Sequence, residues 1–210
     1  VFSFSLLYSK NPQPNMTYTD HLQKAFTLFD AYNAKDPHQE EYQHQVFAKE
    51  LLYAMRMTEK LNAFFPDAPE HVQLAARCQH IGRWEIPRNT FPMDRKGYLQ
   101  WRSQLKLHHA ALAEKILIEC GYDQNLIEKV KFLVLKKQLN QHPETQLIED
   151  VICLVFVHYY LDDFAHRHEE EKVIDILKKT LKKMSSRAID ETLKLPVTPE
   201  IKALLLKAAQ

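Results

Sequence analysis

Four ionisable residues stand where the helices of this chain would otherwise be apolar. Glu50 shares a stripe with Phe47, Ala54, Met57 and Leu61, and His80 with Val72, Ala76 and Trp84. His109 lies with Leu105, Leu112, Ala113 and Ile116, and Asp150 with Leu147, Cys153, Leu154, Val157 and Leu161. Residues spaced i, i+3, i+4 and i+7 share one helix face, so all four groups are aimed inward. An unpartnered buried charge is costly, so such groups are paired, shifted in protonation or bound to a metal. Two imidazoles and two carboxylates on four successive helical segments are expected to converge. As a ligand set they suit Mn, Fe, Zn or Ni better than Mg or Ca. Without a metal, the same four would form a buried hydrogen-bonded network.

A second group of residues could hold the charge and the ring of a ligand. Pro87, Pro92 and Gly97 interrupt helical periodicity between Arg83 and Trp101. This stretch and its edges carry Arg83, Arg88, Arg95 and Arg102 beside Trp84, Tyr98 and Trp101. Arginine forks match phosphate geometry and aromatic faces take flat rings, so the arginines are candidate phosphate contacts and the aromatics candidate walls. Arg88 and Arg95, braced by the prolines, are the expected centre of an anion site.

The elements that must position these groups are helices. Three glycines against ten prolines leave little material for hairpins. Helical periodicity runs through about 17–34, 41–64, 69–83, 98–120, 123–138, 143–165, 169–184, 185–194 and 198–209. Asp36-Pro37 stops the first, Gly121 terminates the fourth, and Thr198-Pro199 opens the last. The expectation is a single all-α domain of about eight or nine helices. Residues 16–210 would form it, with 1–15, which contain Pro12 and Pro14, a dispensable extension.

Composition narrows the function classes. At 45% hydrophobic and 26% charged the chain has the makeup of a globular protein, and its net charge of +1 gives no global attraction to nucleic acid or anionic membrane. No apolar run is long enough to span a bilayer, so no membrane partner is expected. The isolated Cys78, Cys120 and Cys153 read as reduced core residues, which points to the cytoplasm. Two helices end in basic runs, Lys136-Lys137 and Lys178-Lys179 with Lys182-Lys183, and the second reads as a solvated helix face. Glycine-rich phosphate loops, serine nucleophile elbows and His-Glu-x-x-His helices are absent from the sequence, which argues against P-loop and nucleophilic mechanisms.

Several strings are similar to those of an uncharacterised helical family of the HD superfamily. They are Glu50-Leu51-Leu52-Tyr53-Ala54, Gln79-His80-Ile81-Gly82-Arg83-Trp84, Gly97-Tyr98-Leu99-Gln100-Trp101-Arg102 and Leu147-Ile148-Glu149-Asp150. The resemblance implies an HD-like helical fold and a metal-dependent phosphohydrolase. It places Glu50 at the position of the family's first histidine and Gln79-His80 at its His-Asp pair. His109 then matches an additional histidine, and Asp150 the final aspartate. Glutamine is a weak ligand, so the implied metal set is Glu50, His80, His109 and Asp150, with Gln79 behind it. Glu149, adjoining the site without being needed as a ligand, is the implied general base. Two functions follow as expectations: a divergent HD-like hydrolase of a nucleotide or other phosphorylated metabolite, or a catalytically lapsed HD-like module that binds a nucleotide or RNA end without metal.

Overall fold

The computed structural model describes residues 20–210. The expected extension at 1–15 lies outside the described residues. Among those described are ten α-helices and one two-stranded hairpin. The helices are α1 (Asp20–Asn33), α2 (Lys49–Phe64), α3 (Glu70–Arg77), α4 (Arg95–Cys120) and α5 (Gln124–Val134), followed by α6 (Pro143–Val155), α7 (Leu161–His166), α8 (Glu170–Leu181), α9 (Ser186–Thr192) and α10 (Pro199–Ala208). No helix among the described residues is long and apolar enough to cross a membrane.

The main core gathers the inward faces of α1 to α6 and α9. Phe29, Met57, Leu61, Leu74, Leu117, Ile148 and Leu154 are fully enclosed there. A smaller cluster joins α7, α8 and α10 through Val157, Leu161, Val173, Leu177, Ile201 and Leu205. Helix ends follow local chemistry. Asp94 accepts from the Gly97 amide to cap α4, Gly121 closes it in the left-handed region, and Thr198 caps α10 ahead of Pro199. Gly97 is required by space, since a Cβ there would sit 2.0 Å from the Pro92 carbonyl oxygen.

Four boundaries differ from the periodicity. The helix expected over 69–83 ends at Arg77, so His80 points inward from a turn closed by Gly82 and not from a helical stripe. The segment expected to start α2 at 41 is instead an antiparallel hairpin, β1 (Gln39–Tyr42) with β2 (Gln45–Ala48), turned by Gln43 and His44 at positive φ. Its inward residues explain why. Glu40 forms an ion pair with Arg56 of α2, and the Tyr42 ring lies 4.8 Å from that guanidinium. The expected helix over 143–165 is broken by a π-turn, Phe156–Tyr160, which lets Phe156 and Tyr160 face one cavity. Lastly, α5 stops at Val134, and Lys136, Gln138 and Asn140 take left-handed backbone beyond it.

Candidate functional site

A cavity of about 960 Å³ opens between the N-terminal turn of α2, the turn after α3, α4, the end of α5, α6 and α8. Each element delivers side chains by its own periodicity. Asp36, itself buried, accepts from the Glu50 amide at 3.1 Å and pins the start of α2, so that Glu50 and Tyr53 face the cavity together. Gly82, left-handed at φ 67°, closes the turn that presents Gln79 and His80. Along α4 the spacing of Arg95, Tyr98, Arg102, Leu105, Lys106 and His109 forms one inward stripe.

Charge on the lining is one-sided. Eight lining residues are cationic, namely Lys49, Arg83, Arg95, Arg102, Lys106, Lys136, Lys179 and Lys183. Two are carboxylates, Glu50 and Glu149. In a chain of net charge +1 this concentrates positive potential in one concave place. Lys136 Nζ donates to Glu149 Oε2 at 2.5 Å, and Lys183 stands 4.0 Å from the other oxygen. Burial would raise the Glu149 pKa, but the charge and hydrogen bond of Lys136 outweigh it and hold the carboxyl below its ordinary range. Glu149 is therefore an ionised, occupied partner, which suits it poorly to the role of general base. Lys136 reaches this position from backbone at φ 54°, a conformation that costs a non-glycine residue roughly 1–2 kcal/mol.

Glu50, His80 and His109 line the same cavity from α2, the turn after α3 and α4. Burial pushes the Glu50 carboxyl up to about 7, against the pull of Arg83. Its oxygens are 3.6 Å from Arg83 Nε and 3.5 Å from His80 Nδ1, both longer than a good hydrogen bond. His80 is stacked on Tyr53, with ring centroids 4.0 Å apart. Burial first, and then Arg83, drives its pKa well below the usual value. His109 is held down to about 3 by burial, offset in part by its hydrogen bond to the Ile81 carbonyl. Both imidazoles are thus neutral at physiological pH, while Glu50 can give or take a proton near pH 7.

The structure brings Glu50, His80 and His109 to one cavity, with Gln79 and Glu149 beside them, but not Asp150. The Asp150 carboxylate accepts from the Ser185 amide at 2.8 Å, the Ser185 hydroxyl at 2.6 Å and Gln146 Nε2 at 2.9 Å. Ser185 in turn caps α9, so Asp150 is a tie between α6 and the α8–α9 junction. Among the described residues there is no group of three or more His, Cys, Asp or Glu side chains able to hold a metal ion. The expected four-residue set is therefore not assembled, and eight nearby cations disfavour a divalent ion further.

The arginine and aromatic expectations divide similarly. Arg83, Arg95, Arg102 and Tyr98 line the cavity. Arg88 does not: its guanidinium donates to the carbonyls of Phe91 and Asp94 and braces the loop. Trp101 is buried beneath Arg83, whose guanidinium lies 4.9 Å from the ring, and its indole N–H donates to the Ile86 carbonyl at 2.8 Å. Trp84 packs against Tyr32 instead, at 5.9 Å. Sequence reasoning missed Tyr53, Lys136, Tyr160, Lys179 and Lys183, all of them lining residues. One signal was legible: Ile176, Lys179 and Thr180 share a face of α8 that is neither apolar nor wholly charged, and Lys183 follows in the turn just beyond it.

The chain belongs to the family described as Domain of unknown function (DUF4202), whose model matches residues 23–205. No curated protein and no solved structure matches it.

Proposed function

We propose that the protein binds a phosphorylated metabolite of nucleotide type in this cavity, without a resident metal ion. The observation that carries this reading is the convergence of eight cationic side chains on two carboxylates in a single concave site. Lys49, Arg95, Arg102 and Lys106 line the cavity, and although Lys49 and Arg102 feel Glu50 and Glu149, none of the four is in an ion pair within 4 Å among the described residues, so their donors can turn to an external anion. A cavity of about 960 Å³ is in the range that encloses a nucleotide-sized molecule. Tyr53, Tyr98, Phe156 and Tyr160 supply aromatic wall for a flat ring. An RNA end presents the same phosphate and base.

A divalent-metal phosphohydrolase of HD type is the second reading, and His109 is what favours it. Its Nδ1 hydrogen-bonds a backbone carbonyl at 2.6 Å, leaving Nε2 bare, as an imidazole ligand is commonly prepared. The donor set argues the other way, because the aspartate that would complete it is committed to Ser185.

Thermal stabilisation by nucleotides and inorganic polyphosphate in excess EDTA tests the proposal. Wild type should melt higher with millimolar ligand, by an amount that shrinks as salt is raised. An Arg102→Ala/Lys183→Ala variant should respond weakly. If no phosphorylated ligand stabilises the wild type in EDTA, the proposal fails, and stabilisation that appears only with Mn or Zn supports the hydrolase reading.

A further inference from the structure

Among the cationic walls of the cavity stands a second set of groups with the opposite chemistry. Glu50 Oε2, Gln79 Oε1 and His109 Nε2 are all buried with no hydrogen-bond partner. The three residues are 6%, 2% and 2% exposed, and all line the cavity. They come from three separate elements: the first turn of α2, the turn after α3, and the middle of α4.

Each of these atoms can accept, Glu50 Oε2 when its carboxyl is ionised, while the Tyr53 hydroxyl, also unpartnered on this lining, can donate as well. The Ile81 carbonyl oxygen can only accept, so the His109 proton is on Nδ1 and Nε2 carries a lone pair. Burial keeps that ring neutral, so the lone pair persists under acid conditions. Gln79 presents its carbonyl oxygen. Glu50 Oε2 has only the His80 ring 3.5 Å away. Buried polar groups in folded proteins are as a rule satisfied, and three orphaned acceptors on one cavity call for donors from outside the chain. Cations do not fill that need from within, since Arg83 is already shared between Glu50, His80 and the Trp101 face.

We infer that this set of groups reads hydrogen-bond donors on the ligand beyond its phosphate, namely an amino or hydroxyl group. The inference rests on the proposed binding of a phosphorylated metabolite in the same cavity. The ligand then carries two kinds of group: an anion held by cations such as Arg102, Lys136 and Lys183, and a donor-bearing portion held by Glu50, Gln79 and His109. A carbonyl or ether in place of those donors would face lone pairs and be rejected, which makes these three residues determinants of specificity rather than of affinity for phosphate.

Titration calorimetry in EDTA with matched probes tests it. Tripolyphosphate reads the cationic groups alone. Adenosine against purine-riboside monophosphate removes an amino group, and adenosine against 2′,3′-dideoxyadenosine monophosphate removes sugar hydroxyls. At least one pair should differ by about tenfold or more in wild type, with the donor-bearing member tighter. In Gln79→Met that preference should shrink while tripolyphosphate binding is unchanged. The His109 Nε2 nitrogen resonance, which needs no variant, should move on addition of the preferred nucleotide and stay in place with tripolyphosphate. If tripolyphosphate binds and both pairs bind equally, the donor-reading role is overturned while the binding proposal stands. If neither tripolyphosphate nor any nucleotide binds, both fall together.

Discussion

Replacing Glu50 with glutamine should stabilise the protein in alkaline buffer and make almost no difference in acid. The carboxyl is buried, its two neighbours stand at 3.5 and 3.6 Å, and its pKa is pushed from 4.5 up to about 7. An acid with a raised pKa keeps its proton in the folded state after the unfolded chain has released it. Its stability contribution is therefore fullest below about pH 4.5, declines from there to about pH 7, and stays low above. At about 1.4 kcal/mol for each pH unit between the two values, the ionised carboxylate costs roughly 3 kcal/mol. Glutamine does not ionise and escapes this cost. Arg83 is already accounted for, since it is one of the influences that set the value near 7. The assay is urea unfolding of Glu50→Gln and wild type at matched pH values between 4.5 and 8.5. Any constant offset cancels when the difference is followed against pH. The variant should gain roughly 2–3 kcal/mol relative to wild type across that range, on the order of 5–10 °C in melting temperature. A flat difference, or wild type gaining on the variant as pH rises, would mean that the carboxylate is ionised and well paired, and would refute the reasoning.

Three further outcomes are expected. Lys136→Met leaves Glu149 buried without its partner and should cost about 3–5 kcal/mol in chemical denaturation, most of which returns in Lys136→Met/Glu149→Gln; a cheap single substitution would show that the pair is not buried. Asp150→Ala removes three hydrogen bonds at the α6–α9 tie and should cost about 2–4 kcal/mol while leaving nucleotide affinity of the folded protein unchanged, so a selective loss of binding would put Asp150 back in the site. His109 should titrate far below an ordinary histidine, from a neutral Nδ1–H form; the stability this gives is present above about pH 6.5 and lost as pH falls toward 3, and an NMR midpoint above about pH 5 would contradict it.

Helical phase in the sequence carried much of the fold and part of the site. Gly121 and Thr198-Pro199 mark helix ends where they are found, because capping is a local interaction. The hairpin over 39–48 was not legible, since what holds it is the reach of Arg56 to Glu40 and Tyr42 from another element. Phase also reports that a side chain points inward without saying toward what. Glu149 and Asp150 are adjacent and about 100° apart round α6, so both are buried, yet one faces the cavity and the other Ser185. Lys136, Lys179 and Lys183 escaped notice for the complementary reason. A lysine has the same signature whether its face meets solvent or a concave cluster of other cations, and the difference is set by the left-handed turn after α5 and the packing of α8.

The most direct measurement is calorimetric titration of adenosine triphosphate into metal-stripped protein in EDTA, at two salt concentrations, with the metal content of the same sample determined beforehand. The expected result is one binding site per chain in protein that holds no stoichiometric metal, with affinity falling several-fold between low and physiological salt. Absence of binding in EDTA, or binding restored only by a divalent transition metal, would contradict a metal-free phosphate site.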